Sequence, residues 1–168
     1  DVVKFVEEQT DGVGADGVIL IENSDTCDFK MSYFNADGSE TFCGNGARCA
    51  VAFAHQLEMI KQTTNFIAYD GVHYAEIQNN IVSLQMIDVE DIQVKNNSVY
   101  ANTGTQHHVE LVDDLNDYPV FENGKQIRYS YDDPGANVNF AQQIDHSTFR
   151  VRTYEKGVEN ETLACGTG

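Results

Sequence analysis

One short pattern occurs twice in the sequence and restricts the folds that the chain can adopt. Residues 43–46 and residues 165–168 both read Cys-Gly-x-Gly, and each copy follows an acid-rich turn after a predicted strand. The first copy opens a segment in which apolar residues recur at helical spacing, so we interpret the repeat as structural rather than accidental. The repeat therefore predicts two related half-units, each of which presents one cysteine.

Alternating apolar residues and turn signals predict the elements of these half-units. Asp70-Gly71 and Asn79-Asn80 indicate hairpin turns. Helices are predicted over residues 2–8 and 44–59. The predicted strands cover residues 18–21, 29–35, 65–69, 73–78, 81–86, 99–102, 108–112, 137–142 and 148–154. Many hairpins and few helices predict an α+β fold with mixed or antiparallel sheets, divided into domains at residues 1–88 and 89–168.

The strong negative charge of the chain excludes some classes of partner. The 168 residues carry a formal net charge of -17, with only 10 Lys and Arg residues. Because nucleic acids are bound by clustered basic side chains, we expect no nucleic-acid partner. No apolar run approaches the roughly 20 residues that a membrane-spanning helix needs, so we expect no membrane partner either.

The chain has four cysteines, which is few for a disulfide scaffold of this length. No two of them form a Cys-x-x-Cys pair, and Cys43 and Cys49 stand too far apart in sequence for a typical zinc knuckle. We therefore expect no metal site. Cys27 and Cys49 are interpreted as inert thiols, the usual state of a free cysteine.

A glycine-rich loop near the start of the sequence is similar to a dinucleotide-binding fingerprint. Residues 12–17 match Gly-x-Gly-x-x-Gly. That site requires a strand before the loop and a helix after it, so that the pyrophosphate meets the helix N-terminus. Here helix-like residues precede the loop and the predicted strand 18–21 follows it. The reversed order argues against a nucleotide cofactor.

Cys43 occupies a position that favours a reactive thiolate. The free N–H groups and the dipole at a helix start stabilise a negatively charged sulfur. Gly44 and Gly46 allow backbone N–H groups to come close to an anion such as a substrate carboxylate. Two such cysteines facing one cleft are suited to inverting a stereocentre. One thiolate removes an α-proton, and the other sulfur delivers a proton to the opposite face.

No competing catalytic apparatus is recognisable in the sequence. It contains no Gly-x-Ser-x-Gly, no Walker loop and no His-Glu-x-x-His. Lys61 and Lys125 have no recognisable pyridoxal context. The residues therefore favour acid–base chemistry without a cofactor.

Two long segments carry a resemblance to a known family. Residues 34–40, followed by residues 43–49, resemble the first signature of diaminopimelate epimerases, and residues 152–168 resemble the second. Residues 12–17 match the early loop of that family. The resemblance spans nearly the whole chain. It implies two pseudo-symmetric domains, each a mixed or antiparallel sheet around a central helix, with the active site in the cleft between them.

The resemblance also implies a reaction. Diaminopimelate epimerases are isomerases that interconvert LL- and meso-diaminopimelate in lysine and cell-wall precursor biosynthesis. They work in the cytoplasm without pyridoxal phosphate or metal. We therefore expect a small-molecule substrate and no cofactor, and the sequence leaves a homodimer open.

The family resemblance assigns roles to individual residues. Cys43 and Cys165 would form the acid–base pair, and His107 and Glu155 would tune the pKa values of these cysteines. The residues implied to bind the substrate are Asn35, Gly44, Asn45, Thr105, Asn137, Glu155, Lys156, Gly166 and Thr167.

Some positions depart from the family pattern. Lys156 stands where the family usually has Arg, and Asn139 stands in Asn-x-Asn-Phe where the family commonly has Asn-x-Gly-Phe. Thr105 lies in Gly-Thr-Gln-His where the family often has Gly-x-Pro-His. The resemblance further implies a chain without the family's N-terminal segment, which carries a substrate-binding Asn, and without the elements that follow the second signature.

Two alternative functions remain open at the level of sequence. One is a racemase for another amino acid, such as proline, on the same fold. Racemisation of free proline without turnover of diaminopimelate would favour it. The other is a catalytically inactive binding protein, and the presence of both cysteines in complete motifs argues against it.

Overall fold

The computed structural model describes residues 17–35, 38–132 and 135–168 of the chain. The chain divides into two units, Asp1–Ile87 and Asp88–Gly168. This division falls beside the domain boundary expected from the sequence. The helix expected over residues 2–8 and most of the glycine-rich loop lie outside the described residues.

The first unit contains a mixed sheet and, among its described residues, one helix. Its elements are β1 (Gly17–Glu22), β2 (Phe29–Asn35), β3 (Glu40–Thr41), α1 (Gly44–Gln56), β4 (Thr63–Ala68), β5 (Gly71–Gln78) and β6 (Ile81–Leu84). The strand order is β1-β2-β4-β5-β6, and the short β3 pairs with β2. β2 and β4 run parallel, and the other neighbours are antiparallel.

Helix α1 forms because its apolar residues share one face. Ala47, Ala50, Val51 and Ala54 recur at spacings of three and four residues and are all buried. They belong to a core that includes Phe29 from β2. Because three of these four side chains are alanines, the helix backbone can lie close to the sheet.

Helix α1 ends at Gln56, although the apolar pattern predicts another turn. Glu58 adopts a left-handed φ of 60°. Its N–H donates to the carbonyl of His55 over 3.1 Å, and the N–H of Met59 donates to the carbonyl of Ala54 over 3.0 Å. These two bonds form a Schellman motif, which satisfies the last carbonyls and turns the chain. The apolar spacing could not reveal this ending, because a Glu takes the position where Gly is usual.

Two tight turns join β4, β5 and β6. Asn79 and Asn80 have φ values of 50° and 62°, as a type I′ turn requires, so the turn predicted there is confirmed. In the other hairpin, Ala68 pairs with Gly71. Gly71 is therefore already the first residue of β5, and the two loop residues lie one position before those expected.

The second unit contains another mixed sheet. Its elements are β7 (Gln93–Lys95), β8 (Ser98–Asn102), β9 (Gln106–Leu111), α2 (Val120–Arg128), β10 (Asn137–Gln143), β11 (Phe149–Glu155) and β12 (Asn160–Thr162). The strand order is β12-β11-β10-β9-β8-β7. β9 and β10 run parallel, and the other neighbours are antiparallel. The two mixed sheets confirm the predicted α+β class.

Helix α2 is absent from the sequence-based prediction, which is wrong in this segment. Only Val120 and Gly124 of this helix are buried, so few apolar side chains mark its inner face in the sequence. Glycine is also unfavourable in a helix interior. Position 124 requires glycine because a Cβ atom there would collide with the Tyr154 side chain of β11. The close approach that packs α2 onto the sheet thus removes the signal that would have revealed the helix.

The strand register sorts the second sheet into two faces. On one face, Val138, Phe140 and Tyr154 form a core with Leu115 and with Val120 of α2. β10 is buried over its first five residues, so its other face is covered as well. That second face, called the polar face below, carries His107, Asn137, Asn139, Thr153 and Glu155.

Among the residues that the structure describes, no helix is both long and apolar enough to cross a membrane.

Candidate active site

Cys43 caps the N-terminus of helix α1. Its backbone is extended, with φ −122° and ψ 110°, and its sulfur accepts a hydrogen bond from the N–H of Gly46 over 3.3 Å. Its carbonyl accepts the first helical bond, from Ala47 N–H at 2.8 Å. The structure thus confirms that the first Cys-Gly-x-Gly opens a helix. The sulfur lies at the positive end of the helix dipole, an environment that stabilises a thiolate.

The glycines after Cys43 bring the backbone close to its sulfur. A Cβ atom at position 46 would lie 3.4 Å from the Cys43 sulfur and 3.2 Å from Cδ1 of Ile19 on β1. Gly44 is buried, and its carbonyl accepts a hydrogen bond from Nη1 of Arg48 over 2.9 Å. Asn45 is exposed on the first helical turn. The two glycines therefore allow the backbone in the first turn of α1 to pack closely around the thiol of Cys43.

Asn35 organises the turn that leads to Cys43. Its Nδ2 donates to the Ser39 hydroxyl over 3.0 Å and to the Thr41 hydroxyl over 3.2 Å. It also lies 3.3 Å from the Ser39 carbonyl. The amide nitrogen is thus engaged in the turn, and any role of Asn35 in binding substrate stays a prediction.

The second cysteine has a different setting. Residues 163–168 form no helix, and the Cys165 sulfur lies 3.7 Å from the hydroxyl of Thr167. The Thr167 carbonyl accepts a hydrogen bond from the Thr103 hydroxyl over 2.6 Å. The Thr167 hydroxyl lies 3.0 Å from Nε2 of His107. Gly168 completes this packing, because a Cβ atom there would come within 2.7 Å of Oδ1 of Asn139.

The polar face surrounds His107 with side-chain amides. Nδ2 of Asn139 lies 2.8 Å from Nδ1 of the imidazole, and Nδ2 of Asn137 lies 3.4 Å from Nε2. Oδ1 of Asn137 accepts a hydrogen bond from the backbone N–H of Lys156 over 2.8 Å. His107, Asn137, Lys156 and Thr167 were all assigned to the site by resemblance, and the structure brings them together.

His107 is uncharged at neutral pH in this environment. Burial lowers the pKa of its imidazole to about 4, and the positive charge of Lys156 acts in the same direction. The ring therefore works as a hydrogen-bonding group with one donor and one acceptor rather than as a cation.

Glu155 and Thr105, which were also expected in the site, form hydrogen bonds within the sheet and in the turn before β9. Oε2 of Glu155 accepts a hydrogen bond from the Thr162 hydroxyl over 2.7 Å, which ties β11 to β12. Thr105 lies in the turn before β9, where its carbonyl accepts a hydrogen bond from Thr103 N–H over 3.0 Å. It is Thr103, which the sequence did not single out, that contacts the Cys165 motif through Thr167.

Sequence reasoning also missed Asn139 and Thr153, which bond to each other over 2.8 Å on the polar face. Two asparagines at alternate positions of β10 share a face of the sheet, and this spacing was a signal for Asn139. His108 faces the other way, where its Nδ1 lies 2.7 Å from the Tyr131 hydroxyl. Among the described residues, no group of three or more His, Cys, Asp or Glu side chains could hold a metal ion.

Comparison with known proteins gives a consistent set of relatives. The sequence matches the family model described as diaminopimelate epimerase over residues 1–89 and 99–168. A diaminopimelate epimerase of Flavobacterium psychrophilum is 53% identical over an alignment of 161 positions that covers 94% of this chain and 63% of the relative. Another, from Aquifex aeolicus, is 42% identical over an alignment of 187 positions that covers 100% of this chain and 66% of the relative. The chain thus spans about two thirds of the length of these relatives.

A solved structure of low sequence identity has the same fold. A phenazine biosynthesis protein of the PhzF family from Bacillus anthracis matches with a TM-score of 0.68 at 16% identity. The match covers 96% of this chain and 65% of that protein.

Proposed function

The chain belongs to the diaminopimelate epimerase family, and we propose from that premise that the protein interconverts LL- and meso-diaminopimelate. The substrate is a small amino acid with two carboxylates and two stereocentres. The reaction inverts one of them. The same family membership supports a place in lysine and cell-wall precursor biosynthesis, as a cytoplasmic step.

The proposed mechanism uses two sulfurs as acid and base. The thiolate of one cysteine takes the α-proton, so the C–H bond breaks and its electron pair stays on the α-carbon, delocalised into the carboxylate. The thiol of the other cysteine then gives its proton to the opposite face and becomes a thiolate. Cys43 and Cys165 fill these roles, and they exchange them when the reaction runs in reverse.

The observation that carries this proposal is the setting of Cys43 at the start of α1. A sulfur that caps a helix and accepts an N–H hydrogen bond has a physical reason to ionise. Cys165 lacks a helix in the described residues, but the Thr167 hydroxyl lies beside its sulfur. A hydroxyl that donates to sulfur also favours the thiolate.

The glycines next to the two cysteines, together with Lys156, are suited to hold a substrate carboxylate. The backbone around Gly44 and Gly166 carries N–H groups that can approach an anion closely, because neither residue has a side chain. Lys156 supplies a positive charge near His107, as the lowered pKa of that imidazole indicates. Asn35, Asn45, Thr105, Asn137, Glu155 and Thr167 complete the proposed substrate site.

The test is incubation of the purified protein with LL-diaminopimelate, followed by chromatographic separation of the stereoisomers. We expect meso-diaminopimelate to form until equilibrium, with no activity toward free L-proline. The absence of meso product from a folded protein would contradict the proposal.

The same assay tests the proposed independence from cofactors. Activity should persist after treatment with a metal chelator, and the purified protein should show no absorbance band of a bound aldimine. Loss of activity in the chelator, or such a band, would contradict that part of the proposal.

A further inference from the structure

A buried amide on the polar face begins a chain of hydrogen bonds that ends at Cys165. Asn139 is only 2% exposed. Its Oδ1 accepts a hydrogen bond from the Thr153 hydroxyl over 2.8 Å. Its Nδ2 lies 3.2 Å from the carbonyl of His108 and 2.8 Å from Nδ1 of His107. Nothing in the proposed reaction so far uses this residue.

The neighbours of Asn139 fix the orientation of its amide. The carbonyl of His108 can only accept a hydrogen bond, so the amide nitrogen must lie on that side. The amide oxygen then faces the Thr153 hydroxyl, which donates to it. Because the same nitrogen lies against Nδ1 of His107, it donates to that ring atom, and Nδ1 must therefore be unprotonated.

The proton of the neutral His107 ring consequently lies on Nε2. This arrangement makes two donors face each other, because Nδ2 of Asn137 lies 3.4 Å from Nε2. The alternative tautomer would bring two donors together at the 2.8 Å that separates Nδ1 from Nδ2 of Asn139. Two donors can be tolerated at 3.4 Å, which lies beyond the hydrogen-bonding range of about 2.7–3.2 Å. At 2.8 Å two donors repel each other strongly. The distances therefore favour Nε2–H.

The Nε2–H group of His107 orients the Thr167 hydroxyl toward the sulfur of Cys165. It donates to the Thr167 oxygen over 3.0 Å. The hydroxyl proton of Thr167 is then available to another acceptor. The Cys165 sulfur lies 3.7 Å from that oxygen, and a thiolate accepts hydrogen bonds more strongly than a thiol. The hydrogen bond from Thr103 to the Thr167 carbonyl holds this residue in place.

We propose that Asn139 is a positioning residue that keeps His107 protonated on Nε2, so that the Thr167 hydroxyl donates to the sulfur of Cys165. The inference rests on the proposed function in one respect, since its effect on turnover requires Cys165 to act as a base. The low pKa of His107 agrees with it, because a ring that stays neutral can be held in one tautomer.

The test replaces Asn139 with a residue of the same shape and opposite hydrogen-bonding character. In Asn139→Asp the carboxylate accepts where the amide donated, so the neutral ring should carry its proton on Nδ1. Nε2 then accepts from Thr167 and turns the hydroxyl away from the sulfur. The matched control is Gln143→Glu, which adds the same charge at an exposed position of the same strand.

Two readouts decide the proposal. Imidazole ¹⁵N chemical shifts should place the His107 proton on Nε2 in the wild type and in Gln143→Glu, and on Nδ1 in Asn139→Asp, whose His107 pKa should also rise. At a pH where the ring is neutral in all three proteins, kcat/KM should fall about 10- to 100-fold in Asn139→Asp only, the loss of one hydrogen bond to a charged group.

A wild-type proton on Nδ1 would overturn the proposal, and this measurement needs no variant to fold. Unchanged kcat/KM in an Asn139→Asp protein whose tautomer has switched would overturn it too. If the wild type does not epimerise diaminopimelate, the proposed function fails, and the NMR data still decide whether Asn139 sets the tautomer.

Discussion

The proposed reaction depends on two cysteines, Cys43 and Cys165. We expect Cys165→Ala to lower kcat/KM for LL-diaminopimelate by at least about 10²–10⁴-fold, because a general acid or base is removed. Cys27→Ala and Cys49→Ala should retain nearly full activity, since Cys49 is exposed and the Cys27 sulfur accepts a hydrogen bond over 4.0 Å from the hydroxyl of the neighbouring Thr26. Near-wild-type turnover in Cys165→Ala would remove this residue from the mechanism.

Cys43 needs a different comparison, because it also caps helix α1. Serine is a good helix cap, so Cys43→Ser should keep the hydrogen bond from Gly46 N–H and the stability of the helix. Cys43→Ala should lose about 1 kcal/mol of stability as well. Both variants should be inactive. Thermal unfolding and steady-state kinetics separate these effects, and an active Cys43→Ser protein would speak against a catalytic thiolate.

Lys156 is the residue where this chain departs most clearly from the expected pattern. If its ammonium holds a substrate carboxylate, Lys156→Ala should weaken binding by about 1.5–3 kcal/mol, the range for a charged hydrogen bond. Lys156→Arg should preserve or improve KM, because a guanidinium grips a carboxylate through two parallel bonds. An unchanged kcat/KM in Lys156→Ala would mean that backbone N–H groups hold the carboxylate instead.

At the scale of elements, the packing of α2 on β11 depends on a missing side chain. Gly124→Ala would raise helix propensity, but the new methyl group collides with Tyr154. Overpacking of this kind typically costs about 1–3 kcal/mol, so we expect a net loss of stability in chemical denaturation. Gln126→Ala, at an exposed position of the same helix, is the control and should change stability little. A Gly124→Ala protein more stable than wild type would contradict the packing argument.

Elements with a strong local signal could be predicted from the sequence. β1 and β2 stand out because apolar side chains mark them without reference to any partner, and Cys43 is marked by its motif at a helix start. The short strands β3, β7 and β12 have two or three residues each and exist only through their pairing, so no local pattern reveals them. Helix α2 was missed because its central buried residue is a glycine.

The candidate site was predictable as a set of residues but not as a network. The motifs supplied His107 and Thr167, yet their contact joins residues 60 positions apart. The contact between His107 and Asn139 further requires β9 and β10 to be parallel neighbours, with His107 beside Asn137. Such pairing depends on the whole sheet, which a reading of local periodicity does not contain.

At the scale of the whole molecule, the two units should respond to pH in opposite directions. The folded pKa of His107, about 4, lies below its ordinary value of 6.5. As the pH falls from 6.5 toward 4, His107 binds a proton in the unfolded chain but stays neutral in the folded unit. The second unit should therefore lose up to about 3 kcal/mol of stability across this window.

His73 reverses this behaviour in the first unit. Burial lowers its pKa, but Asp70 at 2.8 Å and the Gln85 carbonyl outweigh burial and raise the pKa above 6.5. Its contribution to stability is fully present below 6.5 and is lost as the pH rises through the folded pKa.

Amide hydrogen exchange measured against pH can follow the two units separately. Protection of β10 should fall on the acid side of neutrality, and protection of β5 should fall on the alkaline side. Asp70→Asn should abolish the alkaline loss in β5 and leave β10 unchanged. Parallel pH dependence of both strands would contradict the assignment of these two histidines.

The central claim, that two cysteines divide the proton transfer, is tested most directly by the position of isotope early in the reaction. LL-diaminopimelate is incubated with the protein in deuterated water, the reaction is stopped at low conversion, and α-deuterium is measured in product and remaining substrate by mass spectrometry. We expect deuterium in the meso product and almost none in the recovered LL-substrate. The thiol that received the substrate proton returns protium, while the other thiol delivers deuterium from solvent. Deuterium entering the LL-substrate as fast as meso product forms would indicate a single exchanging base and contradict the two-cysteine mechanism.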